Sequence, residues 1–315
     1  MNSSCLTPAR RATAIALVGT LVALGTQIHA PEEAIANDRG TVIIEERPHQ
    51  STGRRVALVI GNANYRTLGP LNNSANDAAD MARILDSLGF EVIAAIDADL
   101  QTMQRRLQEF RAAIREGSVG LFYFAGHGVQ YQGKNYLIPV DAPLQDVNDL
   151  DLYALPLNAV LDRMRDANSA ANIIILDACR NNPFPGGDRS AQRGLATVQA
   201  ARGFYIAYAT RPGHVASDGT GRNGTYTNAL LRHIGTPGVS IEQMFKQVRN
   251  DVDQATGGQQ LPWDESSLIG DFAFNSGQFA PANAPNFTDQ PAVVPPSFTP
   301  SFTNDIICGA SICEY

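Results

Sequence analysis

Five short, mostly apolar runs most constrain what this chain can fold into: Val56–Ile60, Phe90–Ile96, Val119–Ala125, Ala171–Leu176 and Phe204–Ala209. Runs of this length, rich in Val, Ile, Phe and Tyr and cut off by Gly or polar residues, read as strands buried on both faces. Helical periodicity fills the gaps between them. Residues 74–88 carry Ala75, Ala78, Ala79, Ala82, Ile84, Leu85 and Leu88 at helical spacing and stop at Gly89. Leu100–Glu116 repeats Met103, Leu107, Phe110 and Ile114. Further helices are expected over Leu155–Asp166, about 225–235 and 240–253, and a sixth strand over Leu268–Phe274. Tyr136–Val140 reads as a short extended piece whose Pro139 marks an edge or a loop. Strands alternating with helices predict an α/β fold: a mostly parallel six-stranded sheet with helices on both faces.

Two of the apolar runs end in reactive side chains. Phe122-Tyr123-Phe124-Ala125-Gly126-His127-Gly128 carries a histidine, and Ile174-Ile175-Leu176-Asp177-Ala178-Cys179-Arg180 a cysteine 52 residues later. Open α/β sheets place their sites beyond the carboxyl ends of strands. The spacing therefore predicts His127 and Cys179 side by side at the ends of neighbouring strands, as a thiol nucleophile and its base require. A lone cysteine is most often a small buried hydrophobe; the strand-end position and the partner motif favour chemistry instead.

A hydrophobic content of 44% with 17% charged residues fits a globular protein rather than a disordered one. The net charge of −7 leaves no basic footprint, so nucleic acid is not an expected partner. Arg10 and Arg11 precede an uncharged stretch from Ala12 to Ile28, and Ala34-Ile35-Ala36 offers a small-residue cleavage site. Residues 1–36 thus read as a signal peptide, with an uncleaved anchor as the alternative, and imply an exported, periplasmic or secreted protein without a stable membrane span after cleavage. Residues 37–53 read as a linker, 54–278 as one domain, and 279–315 as a proline-rich, disordered tail. Export would leave Cys179, Cys308 and Cys313, of which the last two could close a local disulfide and leave Cys179 as the odd thiol.

At these residues the chain resembles the caspase–metacaspase superfamily of cysteine peptidases, in particular its bacterial members. Val59-Ile60-Gly61-Asn62-Ala63-Asn64-Tyr65, Asn76-Asp77-Ala78, the His127 and Cys179 blocks, and Tyr208-Ala209-Thr210-Arg211-Pro212-Gly213 match in order, from about Arg54 to Phe274. The resemblance implies a caspase-like α/β/α sandwich, with Cys179 as nucleophile and His127 as the acid/base. It also implies an oxyanion hole built from the backbone N–H groups of Gly128 and Cys179.

Where caspases hold a substrate Asp with two arginines and a Gln, this chain has Leu71, Asp177 and the neighbourhood of Ser217 and Asp218. Metacaspases use the Asp two residues before the Cys and the Asp of the Asn-Asp-Ala block to hold Arg or Lys, and Asp177 and Asp77 match those positions. Paired carboxylates suit a guanidinium, so cleavage after Arg or Lys is expected, by a monomer acting on peptides or proteins. A carboxylate at a helix N-terminus is the plainer reading of Asp77.

Residues 183–202 read either as a plain loop or as a self-cleavage segment with Arg189, Arg193 and Arg202 as sites. Asp141, Asp146, Asp149 and Asp151 are better read as a solvated charge run than as a Ca²⁺ site, since their spacing is not that of an EF-hand loop. No zinc motif is present, so no metal or other cofactor is expected beyond Ca²⁺ activation, and His214 and His233 read as surface or helix residues. A catalytically silent module of the same fold that binds peptides is the competing function. A nucleotide-binding protein is excluded by the lack of a Gly-rich fingerprint or a Walker lysine.

Overall fold

The computed structural model describes residues 53–179, 191–192, 195–212, 214, 216, 219 and 221–277. The expected signal peptide, linker, proline-rich tail, the Cys308/Cys313 pair and most of the 183–202 segment lie outside these residues.

Among the described residues nine strands form: β1 (Arg55–Gly61), β2 (Phe90–Ile96), β3 (Val119–Tyr131), β4 (Lys134–Leu137), β5 (Leu155–Pro156), β6 (Ala171–Cys179), β7 (Ala191–Gln192), β8 (Phe204–Tyr208) and β9 (Trp263–Ser266). Six helices accompany them: α1 (Ser74–Ser87), α2 (Leu100–Ala113), the single turn α3 (Leu150–Tyr153), α4 (Leu157–Arg165), α5 (Thr225–His233) and α6 (Ile241–Ala255). The main sheet has the order β2-β1-β3-β6-β8-β9, six strands in number as expected, five parallel and β9 antiparallel to β8.

That order follows from chain direction. From β1 the chain crosses to β2 on one side, then returns past β1 to β3 on the other. Right-handed crossovers run in opposite directions put their helices on opposite faces. Accordingly α1 packs with α5 and α6 on one face, and α2 with α4 on the other. Strand residues alternate between the two cores: Val59, Leu121, Tyr123, Ile173 and Ile175 face the first, and Leu58, Phe122, Phe124, Ile174 and Leu176 the second. α6 shows why its helix forms. Ile241, Met244, Phe245, Val248 and Val252 recur at helical spacing and are all buried, each burial contributing about 1.5–3 kcal/mol. Ser240 caps the helix by accepting the N–H of Gln243.

Three expectations are corrected. β3 does not stop at Ala125 but runs to Tyr131. It leaves the main sheet near Gly128 and pairs with β4 and β7 in a small antiparallel sheet over a third core. α4 starts at Leu157 rather than Leu155, because Leu155-Pro156 pairs with β4 and Pro156 fixes the helix entry. The sixth strand lies at 263–266, not 268–274. Phe272 and Phe274 alternate inward as a strand would, but the guanidinium of Arg55 takes the carbonyls of Ala273 and Phe274 in place of a ladder. β9 is a polar edge strand tied to α6 by Arg249, which reaches Asp264 and the carbonyl of Pro262.

Candidate active site

β3 and β6 run parallel in a register that makes His127 the direct partner of Cys179. Neighbouring strands are about 4.8 Å apart, so the backbones at the two motifs meet as the sequence requires. Cys179 is the last residue of β6, whereas His127 lies inside β3 at the point where the strand passes from one sheet to the other. The pair sits next to the β1/β3 switch point, the position at which open α/β sheets place their sites.

The chain after β1 grips the histidine. The Tyr65 hydroxyl accepts the His127 backbone N–H at 2.7 Å, and the two rings lie 4.4 Å apart at 53°. The Gly69 carbonyl lies 2.8 Å from His127 Nε2. A carbonyl can only accept, so Nε2 carries a proton and Nδ1 is the nitrogen suited to proton exchange with a thiol. The tight approach explains Gly126: a Cβ there would lie 2.6 Å from the Tyr65 hydroxyl. Gly128 pairs with Leu137, while Ile138 donates to the His127 carbonyl. In that antiparallel register Gly128 is a non-hydrogen-bonded position toward β4, so its N–H faces the opposite edge of β3, the one along which β6 ends.

Both candidate acids are buried, Asp77 to 3% exposure and Asp177 to 8%. Asp77 lies in the first turn of α1, as a helix-dipole carboxylate would, but its Oδ1 also accepts the N–H of Gly224, the N-cap residue just before α5. Asp177 accepts the Thr227 hydroxyl at 2.7 Å, and that hydroxyl lies 2.6 Å from the Tyr123 hydroxyl. With its own proton spent on Asp177, Thr227 must accept from Tyr123, giving a relay from core to carboxylate. Burial, with the charges of Asp77 and Asp177 behind it, pushes the Tyr123 hydroxyl well above its ordinary range. The head of α5 thus lies between two acids drawn from α1 and β6.

Sequence reasoning missed Asp80, Tyr65, Gly69 and Thr227. Asp80, one turn beyond Asp77, binds Arg83, Arg222 and Asn223. Burial raises its carboxyl, but the bonds from Arg222, Asn223 and Arg83 outweigh burial and leave it below the ordinary value. Its spacing of three from Asp77 on a helical face was the available signal. The other three announce nothing by residue type, because a turn tyrosine, a glycine carbonyl and a helix threonine acquire meaning only from long-range contact.

Three carboxylates of the acidic stretch have local duties. Asp146 and Asp149 close a reciprocal cap on the turn Val147–Asp149, and Asp151 accepts the Tyr136 hydroxyl. Among the described residues no group of three His, Cys, Asp or Glu side chains is placed to hold a metal ion. His214 is exposed, and His233 on α5 pairs with Asp251. A groove of ≈ 790 Å³ lined by His214, Asn223, Asn228, Arg232 and Gln260 contains neither His127 nor either acid.

A family profile described as the caspase domain of peptidase family C14 matches residues 54–273. The chain belongs to the caspase-domain family. It is 32% identical over 162 residues to human mucosa-associated lymphoid tissue lymphoma translocation protein 1, covering 48% of this chain and 19% of that protein. It is 30% identical over 136 residues to a probable protease of a Desulfuromonadales bacterium, covering 39% and 16%. Chicken caspase-7 is 22% identical over 201 residues, covering 59% and 62%. The chain therefore spans only about a fifth of the human relative it matches. The matched family is one of cysteine peptidases.

Proposed function

We propose that this chain is a cysteine endopeptidase that cleaves peptide bonds after Arg or Lys, with Cys179 as nucleophile, His127 as acid/base and Asp77 and Asp177 as the specificity acids. The carrying observation is the register that pairs His127 with Cys179, with Asp177 two residues before the thiol on the same strand. The bond from His127 Nε2 to the Gly69 carbonyl supports Nδ1 as the proton-exchanging atom. In this mechanism the Cys179 thiolate adds to the substrate carbonyl carbon. The resulting oxyanion takes the N–H groups of Gly128 and Cys179. Collapse expels the amine, which leaves with the imidazolium proton, and water hydrolyses the thioester with His127 as base.

The specificity reading draws on two buried carboxylates at one helix head, a setting in which a guanidinium forms charge-assisted bonds. Export to the periplasm or medium rests on the Arg10–Ala36 segment, and action as a monomer on basic peptides without a resident cofactor completes the proposal. Among the described residues no helix is long and apolar enough to cross a membrane.

Fluorogenic peptides ending in Arg, Lys, Asp and Ala test this under reducing conditions, with a Cys179→Ala control and with and without Ca²⁺. Cleavage after Arg and Lys that disappears in the control is expected. Cleavage after Asp would remove the acid pair from the specificity role. No cleavage under any condition would point to a silent peptide-binding module.

A further inference from the structure

We propose that Tyr65 is the positioning residue of His127, acting through its hydroxyl on the histidine backbone and through its ring on the imidazole face. The inference rests on the Cys179/His127 reading. It goes beyond that reading by assigning the geometry of the base to one side chain on the turn after β1.

His127 lies where β3 changes partners: β6 still pairs with it, but β1 pairs with β3 only as far as Ala125, so on that edge no strand of the main sheet takes the His127 N–H. Tyr65 supplies the missing constraint. Buried to 7% exposure, it accepts the His127 N–H at 2.7 Å and donates to the Ile138 carbonyl at 3.3 Å, bridging β3 to the residue that follows β4. Its ring packs against the imidazole. Four residues on, the Gly69 carbonyl takes Nε2. One short segment therefore touches the histidine at its backbone, its ring face and its outer nitrogen.

The segment is itself pinned. Asp97, in a left-handed conformation with φ 51°, accepts the N–H groups of Ala63 and Asn64 on one oxygen and the Asn64 side chain on the other. Arg66 N–H bonds the Val140 carbonyl, and Leu71 N–H the Ala63 carbonyl. A non-glycine residue held at positive φ marks a place where the surroundings over-determine the backbone. Here what is fixed is the turn that presents Tyr65.

The test follows alkylation of Cys179 by iodoacetamide in the full chain, resolved by peptide mass spectrometry between about pH 5 and 9. A positioned imidazolium lowers the thiol's midpoint, so His127→Ala is expected to raise it. Tyr65→Phe keeps the ring and removes the acceptor. It is expected to slow alkylation at neutral pH about fivefold, the worth of one hydrogen bond, and to raise the midpoint. Tyr65→Leu should go further. Asp97→Asn, which tolerates the positive φ but weakens the turn, should move the midpoint the same way and keeps the test decisive if Tyr65→Phe folds poorly. If Tyr65→Phe, Tyr65→Leu and Asp97→Asn match the wild type while His127→Ala shifts, the positioning role is overturned and the dyad stands. If His127→Ala itself leaves the profile unchanged, the dyad fails and the positioning role with it.

Discussion

At position 80 a carboxylate with 1% of its side chain exposed meets two guanidiniums and an amide. These bonds tie α1 to the Arg222–Gly224 approach to α5, on which Asp77 also holds. Asp80→Asn should cost about 1–3 kcal/mol, toward the lower end because Arg83 is 59% exposed and screened by solvent. The carboxyl is depressed in the fold. Its contribution is therefore full above the unfolded carboxylate value of about 3.9 and is lost as pH falls through the lower folded value. Thermal melts from about pH 7 down to 3 should show a steeper acid loss in the wild type than in Asp80→Asn. Thr227→Val removes the hydroxyl between Tyr123 and Asp177, leaving a buried phenol without that partner. It should cost about 1–3 kcal/mol and, on the proposed reading, reduce the preference for Arg over Ala substrates in the peptide panel.

Among the elements, the segment after β9 is held by an unusual clamp. Arg55 donates to the carbonyls of Phe274 at 2.6 Å and Ala273 at 3.3 Å, with its guanidinium against the rings of Phe90 and Phe272. Arg55→Met keeps most of the packing and deletes the donors. The expected outcome is a lower Tm and faster amide exchange over residues 272–275, read by hydrogen-exchange mass spectrometry. This clamp also shows why the sequence misleads there. Phe272 and Phe274 have the two-residue period of a strand, and nothing local distinguishes carbonyls bonded by a ladder from carbonyls bonded by an arginine 218 positions away. Four of the five parallel strands, β1, β3, β6 and β8, were legible because burial on both faces writes itself as continuous apolar residues, whereas β2 is an apolar run at the sheet edge that leaves Glu91, Ala94 and Ile96 exposed. The continuation of β3 was not legible, since Gly126-His127-Gly128 resembles the end of a strand and its pairing with β4 is a property of the partner.

For the molecule as a whole, the described core runs from Val56 to Phe274, in two main layers on either side of the sheet and a smaller third cluster. A fragment spanning 53–277 should therefore fold alone, with a Tm within a few degrees of the full chain by calorimetry; loss of cooperative melting would place essential structure outside it. The candidate site was legible to the extent that its chemistry is local, as two motifs on adjacent strands. Its supports come from the turn after β1, the end of β2 and the approach to α5, and tertiary contact alone assembles them. α5 has no side-chain cap of its own. Asp77 reaches from α1 to the N–H of its N-cap residue, Gly224, much as the fourth residue of a capping box would within one helix. Asp177 takes the hydroxyl of its first turn from β6. The helix end therefore matures only after α1 and β6 have docked, which places it late in the folding reaction. On the proposed reading, a chain that has not reached that stage has no formed acid pair, and recognition of a basic peptide waits on the completion of its own fold.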